Sequence, residues 1–315
     1  MQFSYAHLIY SGGSIMKNLF NRLRARRNQK SLRDSYLHEA PLCLMDDMVF
    51  KIMFTMGTAD SQEALRCLVE TCTKREVDKV KVLNTELFPA RIDGKAGRLD
   101  IKVNFNDGEV ANLEMQVQRT DDNLKNRAAF YASMLLSAQP NKGDKYHEIK
   151  RVYQIFFLDC VLFPDSEKLP RRYKFMEVEE HDTLTEVVEI VFYELPKLEK
   201  LVKDYFADKT AFSTLSNEQK WCIYLRYRHE QLFKPLIQEL IKEEGIMRAE
   251  KSVEKISRSY RKALIEMDRR KNAMEKAAML KMARDEGEQK KQLEVLELLN
   301  HVSSLEELKQ KLSVK

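Results

Sequence analysis

An alternation of apolar and polar side chains between residues 98 and 118 predicts a β-hairpin. The loop between its arms, Asn106–Gly108, has three residues, and Gly108 suits the left-handed position of such a turn. Because this loop has an odd number of residues, each odd-numbered residue on one arm pairs with an odd-numbered residue on the other. The apolar residues of both arms are odd-numbered, so they face the same side of the hairpin. The apolar positions are Leu99, Ile101, Val103 and Phe105 on one arm and Ala111, Leu113, Met115 and Val117 on the other.

The polar face of this hairpin brings two carboxylates together. In the register set by the loop, Asp100 lies opposite Glu114, and Gln116 lies diagonal to the pair. Two acids one strand spacing apart repel each other unless a cation lies between them. Mg²⁺ takes oxygen ligands, polarises phosphoryl oxygens and activates water. The pattern therefore favours a metal-assisted phosphodiester hydrolase, with the alternative that these polar positions simply face water.

The pattern up to residue 196 alternates helices with strands. A near-continuous apolar run over 152–163 predicts a central strand that is buried on both faces. These elements together predict an α/β core. The predicted helices cover residues 47–56, 61–73 and 124–138, and the other predicted strands cover 77–84, 172–179 and 187–195.

Beyond Pro196 the chain becomes helical and highly charged. Residues 234–292 have few helix breakers and only a thin, loosely heptad set of apolar side chains. This pattern predicts a long helix, a helical hairpin or a coiled coil that joins two copies into a homodimer. A solvated helix without a partner is the alternative. We therefore expect residues 201–315 to form a helical C-terminal region.

Residues 1–40 carry no clear core pattern. Between Lys17 and Arg33 there are seven basic side chains and no acidic one. Such a run either binds a nucleic-acid backbone through counterion release or forms a basic tail without a specific ligand. We expect residues 1–40 to be a flexible basic extension and residues 41–200 to form the core domain.

Composition limits the functional classes. The net charge of +5 is consistent with an anionic partner such as DNA. The five cysteines form no C-x-x-C pair, which predicts reduced thiols and a cytoplasmic protein. The six histidines show no H-x-x-x-H spacing, so the sequence does not indicate a zinc site. No apolar run approaches the roughly 18 residues that span a bilayer, so we expect no membrane partner.

Asp100, followed after thirteen residues by Glu114-Met115-Gln116, resembles the D…E-x-Q form of the PD-(D/E)XK nuclease motif. More narrowly, residues 41–200 resemble the recombination-promoting nuclease and transposase family of bacteria. The resemblance implies a restriction-endonuclease-like α/β core, in which a mixed β-sheet is flanked by helices. Further segments that carry it, in the same order, are Asp47–Lys51, Val82–Leu87, Gly97–Ile101, Asn126–Gln139, Leu184–Thr185 and Phe192–Lys197.

The resemblance also implies roles for the hairpin residues. Asp100 and Glu114 would bind the metal, Mg²⁺ with Mn²⁺ as a substitute. Gln116 stands where many members of the wider superfamily have lysine. An amide orients a water but brings no positive charge, so the metal, Lys102 or Arg127 would have to supply it.

Three supporting residues lie outside the hairpin. Asp47 would add a carboxylate from the first helix, or it is only a helix N-cap or first-turn acid. Arg127 and Tyr131 are four residues apart and share one helix face. They would contact phosphate and sugar, or they are a surface arginine beside a half-buried tyrosine.

The function implied is a Mg²⁺-dependent DNA endonuclease of low sequence specificity that promotes recombination or transposition. Such an enzyme would work in the bacterial cytoplasm and associate with the nucleoid when bound to DNA. A rival from another class is a catalytically inactive, nuclease-like scaffold that binds DNA or proteins. A transposase that joins strands is a third interpretation of the same residues.

Overall fold

The computed structural model of the protein describes residues 42–83, 86–87, 97–98, 100–116, 123–139 and 145–256. The predicted basic extension lies outside the described residues, as does the part of the predicted coiled coil from residue 257 onward. The extension, the coiled coil and the homodimer therefore stay predictions.

A mixed six-stranded β-sheet forms the centre of the described structure. Its strands are β1 (Val80–Val82), β4 (Ile101–Phe105), β5 (Glu109–Gln116), β6 (Val152–Leu158), β7 (Arg171–Met176) and β8 (Thr183–Glu194), while β2 (Glu86–Leu87) and β3 (Gly97–Arg98) form a separate pair. The order across the large sheet is β1-β4-β5-β6-β8-β7. The strands β5, β6 and β8 run parallel, and the other neighbours are antiparallel. The predicted α/β class is thus confirmed.

Helices cover both faces of this sheet. They are α1 (Asp47–Thr55), α2 (Ala59–Thr73), α3 (Leu124–Ser137), α4 (Glu199–Ala207), α5 (Asn217–Tyr227), α6 (Lys234–Leu240) and α7 (Glu244–Glu254). Short 3₁₀ segments cover Tyr146–Glu148, Leu195–Leu198, Lys209–Thr214 and Gln231–Phe233. Within the described ranges, no helix is both long enough and apolar enough to cross a membrane.

The two faces of the sheet have different partners. On one face, Phe157 of β6 packs against Phe50 of α1 and stacks on Tyr193 of β8. The Tyr193 hydroxyl donates to Glu218 of α5, so α1 and α5 lie on this side. On the other face, α3 covers β6 and β8 through a cluster of buried side chains. This cluster consists of Leu124, Ala128, Phe156, Leu158 and Phe192.

The hairpin has the register that loop parity predicts. Ile101 pairs with Leu113, and Phe105 pairs with Glu109 across the three-residue loop. Gly108 has φ +105°, a conformation that glycine adopts without a Cβ penalty. The apolar positions on both arms are buried, as the alternation predicts. Residues 99 and 117–118 lie outside the described residues.

Several predicted elements differ in extent. The strand predicted over 77–84 is only Val80–Val82, and the strand predicted over 187–195 begins already at Thr183. The apolar run over 152–163 is a strand only to Leu158, because Asp159 and Cys160 begin an irregular segment. A continuous helix from residue 234 is wrong for the described part. There α6 ends at Leu240 and α7 begins at Glu244.

The helix α7 packs on α2, close to the start of the chain's core. A Cβ built on Gly245 would lie 2.5 Å from the Cβ of Cys67, so only glycine allows this contact. Arg248 also donates to the Asp60 carboxylate at 3.1 Å. Residues well beyond 200 therefore pack against helices that precede the sheet. The predicted domain boundary at residue 200 stays a prediction.

Candidate active site

The hairpin places Asp100 and Glu114 side by side. The Asp100 backbone N–H donates to Glu114 Oε1 at 3.2 Å. In return, the backbone N–H of Met115 donates to Asp100 Oδ2 at 3.0 Å. Both bonds join a backbone N–H to a side-chain oxygen just beyond the last β4–β5 pair, Ile101 with Leu113, because Asp100 immediately precedes β4. The two predicted acids are therefore brought together on one face of the sheet.

Burial of Glu114 and Asn112 contradicts the alternative that these two residues simply face water, while Asp100 and Gln116 are half-buried. Glu114 is 5% exposed and Asn112 is fully buried. The cause is the parallel strand β6 beside β5 together with the cover of α3, neither of which the hairpin alone reveals. A carboxylate held out of water in this way needs polar partners or a cation.

Two buried amides support Glu114, and sequence reasoning missed them. Asn112 Nδ2 donates to Glu114 Oε1 at 2.9 Å and to Gln154 Oε1 at 3.0 Å. Gln154 lies on β6 directly beside Asn112 and is also fully buried. The only sequence signal was an amide inside an otherwise apolar strand, where an unpaired polar group is costly. These amides fix the position of the Glu114 side chain.

The environment of Glu114 favours its protonated form. Burial, followed by repulsion from Asp100, raises the pKa of Glu114 from 4.5 to about 8. The hydrogen bond from Asn112 and the charge of Arg127 act in the opposite direction. Because like charges and desolvation both oppose ionisation here, a cation bound between the two acids would relieve both costs.

The raised pKa of Glu114 predicts a pH-dependent stability. Between pH 4.5 and 8 the folded protein holds a proton that the unfolded chain has released. In metal-free buffer the free energy of unfolding should therefore fall as pH rises across this window, by at most about 1.4 kcal/mol per pH unit. Glu114→Gln, which does not titrate, should reduce the difference between pH 5 and pH 8 measured by urea denaturation. Glu179→Gln, at an exposed position, is the matched control. Equal pH dependence in both variants would contradict the prediction.

Gln116 and Arg127 form the second half of the site. Arg127 Nη2 donates to Gln116 Oε1 at 3.0 Å and lies 3.9 Å from Glu114 Oε2. A guanidinium only donates hydrogen bonds, so the Gln116 oxygen must face Arg127 and the Gln116 NH₂ group must face the opposite way. Arg127 of α3 thus places a positive charge beside Glu114 and Gln116.

The structure distinguishes between Lys102 and Arg127, the two side chains proposed to supply positive charge at the site. Lys102 lies opposite Asn112 in the register, and burial lowers the pKa of its ammonium group. No described residue forms an ion pair with Lys102. Arg127, by contrast, contacts both Glu114 and Gln116. Arg127 is therefore the better-placed source of positive charge.

The other two supporting residues, Asp47 and Tyr131, occupy the positions expected for their structural alternatives, a first-turn acid of a helix and a half-buried tyrosine. Asp46 is the N-cap of α1, and Asp47 is its first residue, with its own Oδ1 accepting from the Met48 N–H at 3.0 Å. Tyr131 packs beside the buried residues Val110 and Leu135, and its ring centroid lies 5.9 Å from Arg127 Cζ. The catalytic roles of Asp47 and Tyr131 stay predictions.

The protein groups at this site suit a hard divalent cation. No group of three or more His, Cys, Asp and Glu side chains in the described ranges is arranged to hold a metal. Two carboxylates are, however, a sufficient protein contribution for Mg²⁺, which retains several waters and takes further oxygens from a substrate phosphate. The buried Glu114 and the half-buried Asp100, which repel each other, meet this requirement.

Comparison with known proteins agrees with this geometry. The model of the PD-(D/E)XK nuclease family transposases matches residues 44–283, which include α1, the whole six-stranded sheet and α7. No curated protein and no solved structure matches the chain. Since the family model covers more than half of the sequence, the chain belongs to the PD-(D/E)XK nuclease family transposases.

Proposed function

We propose that this protein is a metal-dependent endonuclease that hydrolyses phosphodiester bonds of DNA with low sequence specificity. The observation that carries the proposal is the convergence of Asp100, Glu114 and Gln116 of the hairpin with Arg127 of α3. Membership of a nuclease-type family supports it. The cationic group at this site recognises phosphate, which carries no sequence information.

The metal would be Mg²⁺, with Mn²⁺ as a substitute, held by Asp100 and Glu114. Bound there, such an ion polarises a phosphoryl oxygen and lowers the pKa of a water. Asn112 and Gln154 hold the Glu114 carboxylate in place for this purpose. The site is then preorganised before substrate arrives.

Gln116 and Arg127 act on the substrate side of the site. The Gln116 NH₂ group is not basic, so it orients the attacking water by donating to its oxygen and does not remove a proton. Arg127 donates to the oxygens of the scissile phosphate, where negative charge grows in the transition state. The contact between Arg127 and Gln116 aligns these two functions.

The family description includes transposases, so the same residues support a second reaction, the joining of strands. In that reaction a DNA 3′ hydroxyl replaces water as the nucleophile at phosphorus. Cleavage and strand joining give different products from one substrate. Promotion of recombination or transposition would follow from either.

Incubation of the purified protein with supercoiled plasmid tests the proposal. We expect nicked and linear DNA in Mg²⁺ or Mn²⁺ and intact plasmid in EDTA, as resolved on an agarose gel. Adding a labelled linear duplex to the same reaction reveals any strand-joined product. Intact plasmid under every metal condition, with DNA still bound, would favour the inactive scaffold.

A further inference from the structure

A second set of cationic side chains lies beside the N-terminal end of α3, on the side of the helix opposite the proposed active site. Lys125 Nζ lies 4.7 Å, and Arg171 Cζ 4.5 Å, from the centre of the same aromatic ring, that of Phe163. Arg171 Nε also donates to the hydroxyl of Tyr173 at 3.0 Å. We call Lys125, Phe163, Arg171 and Tyr173 the Phe163 cluster.

The two cations in the Phe163 cluster have no acidic partner in the described structure. Neither Lys125 nor Arg171 forms an ion pair there, although Asp165 and Glu167 lie in the loop that follows Phe163. Both cations are held against one ring, so their charges lie no farther apart than the two ring distances together. Like charges held this close and left uncompensated favour an anion with several acceptor oxygens.

The cluster is built on a buried support. The fully buried Glu194 accepts hydrogen bonds from the backbone N–H groups of Leu162, at 2.6 Å, and Phe163, at 2.8 Å. Lys197 pairs with Glu194 and also donates to the carbonyl of Phe163 at 3.0 Å. The position of the Phe163 ring, and of the cations on it, is therefore set before any ligand binds.

The geometry of α3 relates this cluster to the active site. Leu124 and Ala128 face the sheet, and Arg127 and Lys125 flank that buried stripe on opposite sides because residues two apart on a helix differ by about 200°. Arg127 faces β5, where Gln116 lies, and Lys125 faces the segment that carries Phe163 and the strand β7. One helix end thus presents cations to both sites.

The two cationic groups lie over neighbouring strands on one face of the sheet. Arg127 Cζ lies 5.8 Å from the ring of Phe156 on β6, and the Phe163 ring lies 5.6 Å from the ring of Phe192 on the adjacent strand β8. We propose that the Phe163 cluster binds backbone phosphate of the DNA strand whose scissile phosphate lies at Asp100 and Glu114. This inference rests on the proposed function and adds the direction in which the bound DNA crosses the sheet.

Fluorescence anisotropy with a labelled 30-base-pair duplex in EDTA tests the inference without cleavage. Lys125→Ala/Arg171→Ala should bind about tenfold more weakly. The slope of log K against log salt should fall in magnitude by about 1.8, since each phosphate contact contributes about 0.9. The matched control Lys79→Ala/Lys81→Ala removes the same charge from the exposed far edge at β1 and should change affinity less than twofold.

Hydrolysis of bis(p-nitrophenyl) phosphate in Mn²⁺ separates this inference from the proposed function. That ester is too short to reach Phe163, so the Lys125→Ala/Arg171→Ala variant should hydrolyse it at the wild-type rate. Equal loss of DNA affinity in both double variants would overturn the inference and leave the endonuclease intact. A loss of ester hydrolysis would overturn it too, because the cluster would then support the active site itself. Failure of the wild type to bind DNA would overturn both proposals.

Discussion

Asp100→Asn should reduce the rate of plasmid cleavage by about a thousandfold or more. Asparagine still accepts the hydrogen bond from the Met115 N–H, so the end of the hairpin keeps its geometry. It removes the negative charge that makes the pair with Glu114 a site for a divalent cation. Loss of the several kcal/mol that such an ion contributes to the transition state corresponds to this factor. The measurement is the initial rate of nicking in saturating Mg²⁺.

Asp107→Asn is the matched control for this change. Asp107 lies at the exposed loop of the same hairpin, and asparagine suits that turn. We expect a wild-type cleavage rate for Asp107→Asn and native circular dichroism for both variants. Retained cleavage in Asp100→Asn would contradict the proposed role of the carboxylate pair in the reaction.

Arg127→Ala should lower kcat by about a hundredfold to a thousandfold, the usual cost of losing one preorganised donor to transition-state charge. Its effect should fall on kcat more than on metal affinity, because Arg127 contacts Gln116 and lies beyond direct hydrogen-bond distance of Glu114. Single-turnover cleavage of a short labelled duplex at several Mg²⁺ concentrations distinguishes the two effects.

Two further variants make the Arg127 result specific. Arg127→Lys keeps the charge but not the guanidinium fork, so we expect an intermediate rate. Lys81→Ala removes an exposed cation from the edge strand β1, which makes no contact with Gln116 or Glu114 in the described structure, and should cleave normally. A wild-type kcat for Arg127→Ala would mean that Lys102 or the metal alone, and not Arg127, stabilises the charge of the transition state.

Local rules were sufficient to predict the β4–β5 hairpin from the sequence. Period-two alternation and an odd loop fix which residues pair, and a slip of one residue would move every apolar side chain to the other face. The pairing of Ile101 with Leu113 therefore followed from the alternation together with the three-residue loop at Asn106–Gly108, and with it the meeting of Asp100 and Glu114. The helix after the motif was likewise bounded by local signals, and α3 ends within one residue of its predicted end.

Contacts between distant segments explain what the sequence could not provide. The partner of Asn112 is Gln154, 42 residues later, and no local pattern indicates that β6 lies beside β5. The sequence also does not show that Arg127, and not Lys102, contacts Gln116, because this depends on how α3 crosses the sheet. Gly245 is a further example, because the need for glycine at this position arises from its close contact with Cys67 in another helix.

Calorimetric titration of the metal-free protein with Mn²⁺ tests the central claim most directly. Wild type and Asp107→Asn should each bind one ion per chain at the carboxylate pair and release a proton as Glu114 ionises. The Asp100→Asn/Glu114→Gln double variant should show no such binding while remaining folded. Unchanged affinity and stoichiometry in that double variant would contradict the account.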